Sequence, residues 1–520
     1  MNSPTGEGLG LAELDHYIEE ARIGWHGVGV AIAVVYNEAV IYTRGYGPRE
    51  AGTPAQIDSD TLFQIGSTTK AFTTAALGML VEEGRLGWDD PVIHYLPEFK
   101  LQDPWLTRTL TVRDAITHRS GIADSYYPFL AIMSAEEAIH QLRFRPAEAP
   151  FRDSYRYSNL MYAVAGKILE ATSGTSWSDF IRQRILRPLE MNRSGTSPYE
   201  FWEPRYIAPT FLGYAAAARI SAHQSREPNL AMPHCWNGTD SWMPIPWQSY
   251  DNAAAAGALI SSVAEMGNWL ALQLSQGYFA GRRLLRPETL RELQAPQNLH
   301  GGGNSSPALE GPETYAMGWQ RAQYRGHTHL AHGGGMVGSP AYVALLPERK
   351  AGVVVLSNGS LDASEKLGLH KAIAFWIFDR LLSAPPRNWC EEFLTRTRSM
   401  QQEARAKEAT LQSSRTHHLA LHLPLQGYVG QYRDFFGHSP PVDICLDDGQ
   451  LNINFVGTGA FRAYLEPWHQ GLFRIRPAVS VADVLGPQFI RFSLNANGEV
   501  ASFGAFEATF QRLKPNHPPA

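Results

Sequence analysis

The sequence is poor in cysteine. Cys235, Cys390 and Cys445 stand far apart, which gives neither a disulfide framework nor the close spacing of a metal site. Long apolar runs are missing too, so no segment has the length of a membrane-spanning helix. The first eleven residues lack a basic start followed by an apolar stretch, and no secretory leader is expected. Charge of one sign never accumulates: the formal net charge is -5 and charged residues make up 18%. That excludes the basic patches of nucleic-acid binders and of polybasic membrane anchors. No metal, nucleotide or flavin motif is present. The expectation is a cytoplasmic protein with no cofactor, no metal, and neither a nucleic-acid nor a membrane partner. What is there is ordinary for a globular enzyme, 44% hydrophobic over 520 residues, which is too long for one core and predicts two or three domains.

One stretch organises the chemistry: Phe63-Gln64-Ile65-Gly66-Ser67-Thr68-Thr69-Lys70-Ala71-Phe72. Ser67 and Lys70 are three residues apart, hence on one face of a helix and one turn apart. A serine hydroxyl is a weak nucleophile until a neighbouring base takes its proton. A lysine serves as that base only when neutral, which needs desolvation or another nearby cation. Ala71, Phe72, Ala75, Ala76, Leu77, Met79, Leu80 and Val81 supply an apolar helix behind the pair, running to about Glu83 and stopping at Gly84. Taken alone, Ser-x-x-Lys is a common accident at an exposed helix start.

Other segments add candidates. Tyr157 and Asn159 open a helix over Leu160–Thr172, closed by Gly174, where side chains reach outward into a cleft. His332-Gly333-Gly334-Gly335 lies on a strand-like run over Leu330–Met336. Glycines there let backbone approach a ligand and free N–H groups to face an anion. His332 reads either as a hydrogen-bond donor or proton shuttle, or as a plain turn residue. Residues 198–252 are irregular and rich in Trp and Pro; Trp236, Trp242 and Trp247 there are candidates for a pocket wall or lid, or part of a packed surface insertion.

The remaining pattern sets the architecture. A helix over Ala12–Ile23 leads to a hairpin, Val28–Tyr36 and Ala39–Tyr46, turning at Asn37-Glu38. One long helix is expected over Ala253–Gln276, a flexible loop over 298–312, and strands over Met317–Tyr324, Pro340–Leu346 and Val353–Leu356. A helix over His370–Leu382 ends before Ala384-Pro385-Pro386, a boundary signal. Residues 388–414 read as a polar helical connector. After Pro424, seven short alternating strands separated by turn residues read as a small all-β barrel or sandwich.

Ser67-Thr68-Thr69-Lys70, Tyr157-Ser158-Asn159 and His332-Gly333-Gly334 stand in the order and spacing of the serine β-lactamase and penicillin-binding-protein superfamily. The chain resembles its class C branch, with the esterases, D-aminopeptidases and related peptidases. The flanks agree: FQIGSTTKAFTTAALGMLVEEGRLGWDDPV, ITHRSGI, YSNLMYAVAGKILEATSG, AAGALISSVAEMGNWL and HLAHGGGMVGSPAYVALLPERKAGVVVLSN. The likeness covers roughly residues 10–383, and its three motifs together are far more specific than any one of them. The tail, from Gly427-Tyr428-Val429-Gly430-Gln431-Tyr432, is similar to a lipocalin-like domain.

The resemblance implies an α+β fold: an antiparallel sheet flanked by helices plus a helical lobe, with a second small β-barrel. The expected division is 1–385 catalytic, 386–415 connector and 416–520 barrel. It further implies a serine hydrolase acting on a small amide, peptide or ester through a Ser67 acyl-enzyme. Peptidase or amidase leads; carboxylesterase with weak β-lactamase activity, transacylase and a non-turnover penicillin-binding or regulatory protein are the alternatives. Lys70 and Tyr157 would share the base role, backbone N–H groups of Ser67 and Gly335 would form the oxyanion hole, and Asn159 would orient Lys70 or the substrate amide, with His332 and Gly334 beside the substrate. Many β-lactamases and D,D-peptidases have Lys-Thr-Gly on that strand. His-Gly-Gly here departs from them and matches the esterase and aminopeptidase branches. A homo-oligomer is left open.

Overall fold

The computed structural model describes residues 10–124, 133–208, 224–236, 241–300, 306–359, 367–413, 415, 421–434, 441–455, 462–477, 488–506 and 508–513. The expected boundary at 416 lies outside them. Among the described residues no helix is long and apolar enough to cross a membrane.

An eight-stranded antiparallel sheet carries the first unit. Its order is Asn298–Leu299, Glu310–Tyr315, Gln320–Tyr324, His327–Met336, Ser339–Leu346, Ala351–Ser357, Val30–Tyr36 and Ala39–Tyr46. Every residue of Val30–Tyr36, Ser339–Leu346 and Ala351–Ser357 is buried, because helices cover both faces: Val263–Leu274 against one, Leu11–Gly24 and Leu369–Leu381 against the other. The hairpin turn falls at Asn37 and Glu38 as the sequence predicts, both at positive φ. The helical lobe is built on Thr69–Glu82 and Asn159–Ser173, which share one apolar core.

Two expectations are corrected. The single helix over Ala253–Gln276 is broken into Ala254–Gly257 and Val263–Leu274. Between them Ile260–Ser261 pairs with Phe63–Gln64, the strand that leads to Ser67, and that pairing outweighs helix propensity. The loop expected over 298–312 contains strand at both ends, Asn298–Leu299 and the start of Glu310–Tyr315. Gly311-Pro312 hides the second strand by forcing a register shift between Glu310 and Thr314.

The C-terminal part is a closed eight-stranded barrel. Seven of its strands follow the sequence pattern; the eighth, Ala508–Arg512, pairs with Gly430–Asp434 and closes it. Tyr428, Tyr432, Phe455, Phe473, Phe492, Phe503 and Phe510 are buried inside. One helix, Trp389–Ser413, joins the two units. Its first turns belong to the sheet unit: Trp389 and Phe393 are buried in that core, and Trp389 Nε1 donates to Asp379 Oδ2 at 2.8 Å. Its last turns belong to the barrel, where Glu408 accepts from Arg474 at 2.5 and 2.7 Å.

A consequence follows for truncation. A chain ending at residue 385 loses both aromatic anchors, whereas one ending at residue 399 keeps them. Deleting a buried Phe or Trp costs about 3–5 kcal/mol, so the shorter chain is expected to melt lower by on the order of 10 °C. Thermal denaturation of both fragments checks this; equal midpoints would place the boundary at 385 after all.

Candidate active site

Ser67 sits in a tight turn, Gly66–Thr68, that feeds the Thr69–Glu82 helix. Thr68 closes the turn by donating its hydroxyl to Ile65 O at 2.9 Å. Gly66 has φ +52, and a Cβ there would lie 3.0 Å from Gly335 N. A Cβ on Gly334 would lie 2.0 Å from Ile65 O, which no relaxation of a packed strand accommodates. The glycine run is thus what lets the sheet edge lie directly against the Ser67 turn.

Lys70 is fully buried. Its ammonium donates to Ser67 Oγ at 3.0 Å, Asn159 Oδ1 at 2.6 Å and Ala256 O at 2.9 Å. Tyr157 OH donates to Ser67 Oγ at 2.9 Å, and Lys70 Nζ stands 4.7 Å above the Tyr157 ring. Three segments therefore converge on the Lys70 side chain, the Ser67 turn, Asn159 and Ala256, the last 186 residues away in sequence. Small residues permit it. Ala255 and Ala256 turn carbonyls toward the helix, where Thr73 Oγ1 and Lys70 Nζ donate to them. Chemically, a hydroxyl held between a lysine and a tyrosine can lose its proton to whichever of the two is unprotonated, amine or phenolate, and can then attack a carbonyl carbon.

The profile of the beta-lactamase family matches residues 14–375. The chain belongs to the beta-lactamase family. Its members are serine hydrolases by fold family, and the barrel region, residues 415–515, matches a domain of unknown function, DUF3471. An unguisins hydrolase of Aspergillus violaceofuscus is 28% identical over 370 residues, 68% of this chain and 62% of that protein; the chain thus spans less than two thirds of that relative. Protein flp of Staphylococcus aureus is 24% identical, over 69% of this chain and 65% of its own. Among solved structures, an octameric penicillin-binding protein homologue from Pyrococcus abyssi has a TM-score of 0.60 at 21% identity, covering 96% of this chain and 99% of that one. A D-amino acid amidase from Ochrobactrum anthropi SV3 has a TM-score of 0.55 at 20% identity, covering 71% and 98%. Both support the fold.

Within this beta-lactamase-family site, two supporting residues escape sequence reading. His118, in the ITHRSGI flank, is buried, with its ring 4.4 Å from that of Tyr157. Its Nδ1 accepts the Ser158 N–H at 3.1 Å, which leaves the ring proton on Nε2. The neighbouring loop is pinned by buried Asp114, which receives Arg119 at 2.5 Å and Arg152 at 2.7 and 2.9 Å. Asp124 lies under the start of the Asn159–Ser173 helix and accepts from Asn159 N, Asn159 Nδ2, Leu160 N and Ser158 Oγ.

The remaining candidates are placed differently from one another. His332 is buried; its Nδ1 lies 2.7 Å from Gly333 O and its Nε2 3.1 Å from Tyr315 OH. Burial, with Lys70 nearby, pushes its imidazole down to about 3, so it is neutral and enclosed rather than an exposed proton shuttle. Trp247 is a core residue, not a pocket wall: it is packed beside Trp202, with Nε1 donating to Ala231 O at 2.9 Å. Trp236 and Trp242 pack edge-on at 5.2 Å, and Trp242 Nε1 donates to His26 O, which ties them to the approach of the first sheet strand.

The buried histidines set a pH dependence. Burial holds His332 and His329 at about 3 and His234 at about 4, and His118 well below the usual range. In the unfolded chain each takes a proton near about 6.5. Their contribution to stability is therefore whole above that pH and drains as pH falls from it toward 4 and 3, by up to about 1.4 kcal/mol per pH unit for each group. Asp124 and Asp251, both raised by burial, work in the opposite direction, while His300 is lowered and adds to the histidines. Melting midpoints of the first unit are expected to fall steadily from pH 7 to pH 4.5; a flat profile would contradict the neutral assignment.

Proposed function

We propose that the chain is a serine amidohydrolase, a peptidase or amidase of small substrates that works through a Ser67 acyl-enzyme. The observation that carries this is the pair of hydrogen bonds to Ser67 Oγ, from Lys70 Nζ at 3.0 Å and Tyr157 OH at 2.9 Å. In this reading Ser67 attacks an amide carbonyl. Its proton passes to Tyr157 or Lys70 as a coupled pair, then reaches the leaving amine from Tyr157, and water releases the acyl group. The N–H groups of Ser67 and Gly335 receive the oxyanion; Gly335 N lies beside the Ser67 turn, as the Gly66 contact requires. The Thr69–Glu82 helix adds positive potential at its start.

Substrate class is read from what surrounds that hydroxyl. The strand position that holds a lysine in many relatives is a neutral, enclosed His332, which favours a substrate with no free carboxylate at that point. That counts against efficient β-lactam hydrolysis and against cell-wall carboxypeptidase work. The relative named as an unguisins hydrolase is in keeping with a hydrolase, and the structural neighbour named as a D-amino acid amidase is in keeping with an amide bond as the target. D- and L-amino-acid anilides, p-nitrophenyl esters and nitrocefin, assayed side by side, test the reading. Sustained turnover of an anilide well above nitrocefin is expected. Ester turnover without any anilide turnover would favour a carboxylesterase, and a stoichiometric burst without turnover would favour a penicillin-binding protein.

A further inference from the structure

Asn159 meets Lys70 through one side-chain atom and Asp124 through the other. Its Nδ2 donates to Asp124 Oδ2 at 2.6 Å, and its Oδ1 accepts from Lys70 at 2.6 Å. A carboxylate only accepts and an ammonium only donates, so the amide has one satisfied orientation here and the other would oppose like groups at both ends. A hydroxyl, an amide oxygen and a backbone carbonyl, each neutral, accept from Lys70. A buried ammonium surrounded by neutral acceptors is costly unless an anion stands close by. Asp124 stands one amide group away, is itself enclosed, and its charge interacts with that of Lys70.

Capping alone does not account for Asp124. The helix already has a cap of its own, Ser158 Oγ accepting from Met161 N at 3.3 Å. The backbone N–H groups of Asn159 and Leu160 and the Ser158 hydroxyl would satisfy Asp124 as a cap at 2.7, 3.1 and 3.0 Å. The fourth bond, to the Asn159 side chain, is the one that reaches toward Ser67.

We infer that Asp124 is a positioning residue of the reaction: it holds Asn159 with its oxygen toward Lys70 and places a compensating negative charge one amide away from the buried ammonium. The inference rests on the reading of Ser67 as nucleophile. The titratable groups facing this relay are Tyr157 and Tyr162, whose rings lie under Lys70, Tyr250, which feels the charge of Asp124, and the neutral His118 and His332.

A double-mutant cycle on the full chain tests it, with fluorophosphonate labelling of Ser67 and anilide kcat/KM followed from pH 5 to 10. Asp124→Asn keeps the shape and removes the charge, and is expected to slow labelling about 10²-fold. The limb of the pH profile governed by Lys70 is expected to move to lower pH, since its ammonium loses the favourable charge of Asp124. Asp124→Asn added to Asn159→Ala is expected to cost little more than Asn159→Ala alone, because both changes break one relay. Independent, multiplying losses with an unmoved pH profile would overturn the inference and leave Asp124 as a helix cap. If Asp124→Asn does not accumulate as folded protein, Asp124→Ser, which leaves room for water at the helix start, enters the same comparison. A wild-type chain that takes no label at Ser67 would remove the nucleophile first, and this inference with it.

Discussion

Ser67→Ala is expected to abolish amide turnover, with a loss of about 10⁴–10⁶ in kcat. The size follows from the number of groups that act through one oxygen. Lys70 and Tyr157 both hydrogen bond to Ser67 Oγ, so both act on the reaction through that one oxygen. The change is gentle for the fold: the residue lies in a surface-reaching turn, is half-buried, and its backbone N–H is kept. Folding should therefore survive while chemistry does not. Mass spectrometry after fluorophosphonate treatment should find the adduct on a Ser67 peptide of the wild type and nowhere in Ser67→Ala. Turnover within tenfold of wild type in the variant would remove this serine from the mechanism.

Lys70→Met is the second large effect, and it differs in kind. Methionine has nearly the right volume, so the apolar surroundings stay filled. What is lost is a cation that satisfies three acceptors at once. Ala256 O and Asn159 Oδ1 are left without their donor in a buried site, which costs about 1–3 kcal/mol for each group. Catalysis is expected to fall about 10³–10⁴-fold, and the melting midpoint is expected to drop as well. The paired loss distinguishes Lys70 from Ser67, where rate falls and stability holds. A Lys70→Met chain that keeps its midpoint but loses activity would mean that water replaces the ammonium among the three acceptors. One that keeps its activity would take Lys70 out of the chemistry.

The parts of this site that the sequence announces are those carried by short-range spacing. Ser67 and Lys70 are one turn apart, Tyr157 and Asn159 open a helix, and the glycines after His332 mark close backbone approach. Each of these is a local pattern with a physical reason. Asp124 and His118 are not local in that sense. A single Asp after Gly-Ile-Ala has no partner within a turn; its four donors come from residues 34 to 36 positions further on. Trp247 was hidden for a related reason. Composition placed Trp247 among aromatic residues of an irregular loop, and only tertiary packing decides whether an indole lines a cavity or fills a core. The broken helix at Ile260–Ser261 is the same lesson for the backbone: an apolar periodic run was overridden by a two-residue pairing with the strand before Ser67.

The Trp389–Ser413 helix carries one more implication. Its first turns are embedded in the sheet unit and its last are tied to barrel strands, while Arg398–Lys407 between them is almost wholly bathed in water. A helix advances about 1.5 Å and rotates about 100° per residue, so it works as a threaded shaft on which the barrel is mounted. Two extra residues in that bare section would swing the barrel by roughly 200°, to the far side of the shaft; seven would return it almost to its original bearing, about 10 Å further out. The angular setting of one body against the other is therefore written in a residue count, and a pair of insertions of unequal length can report whether that bearing matters.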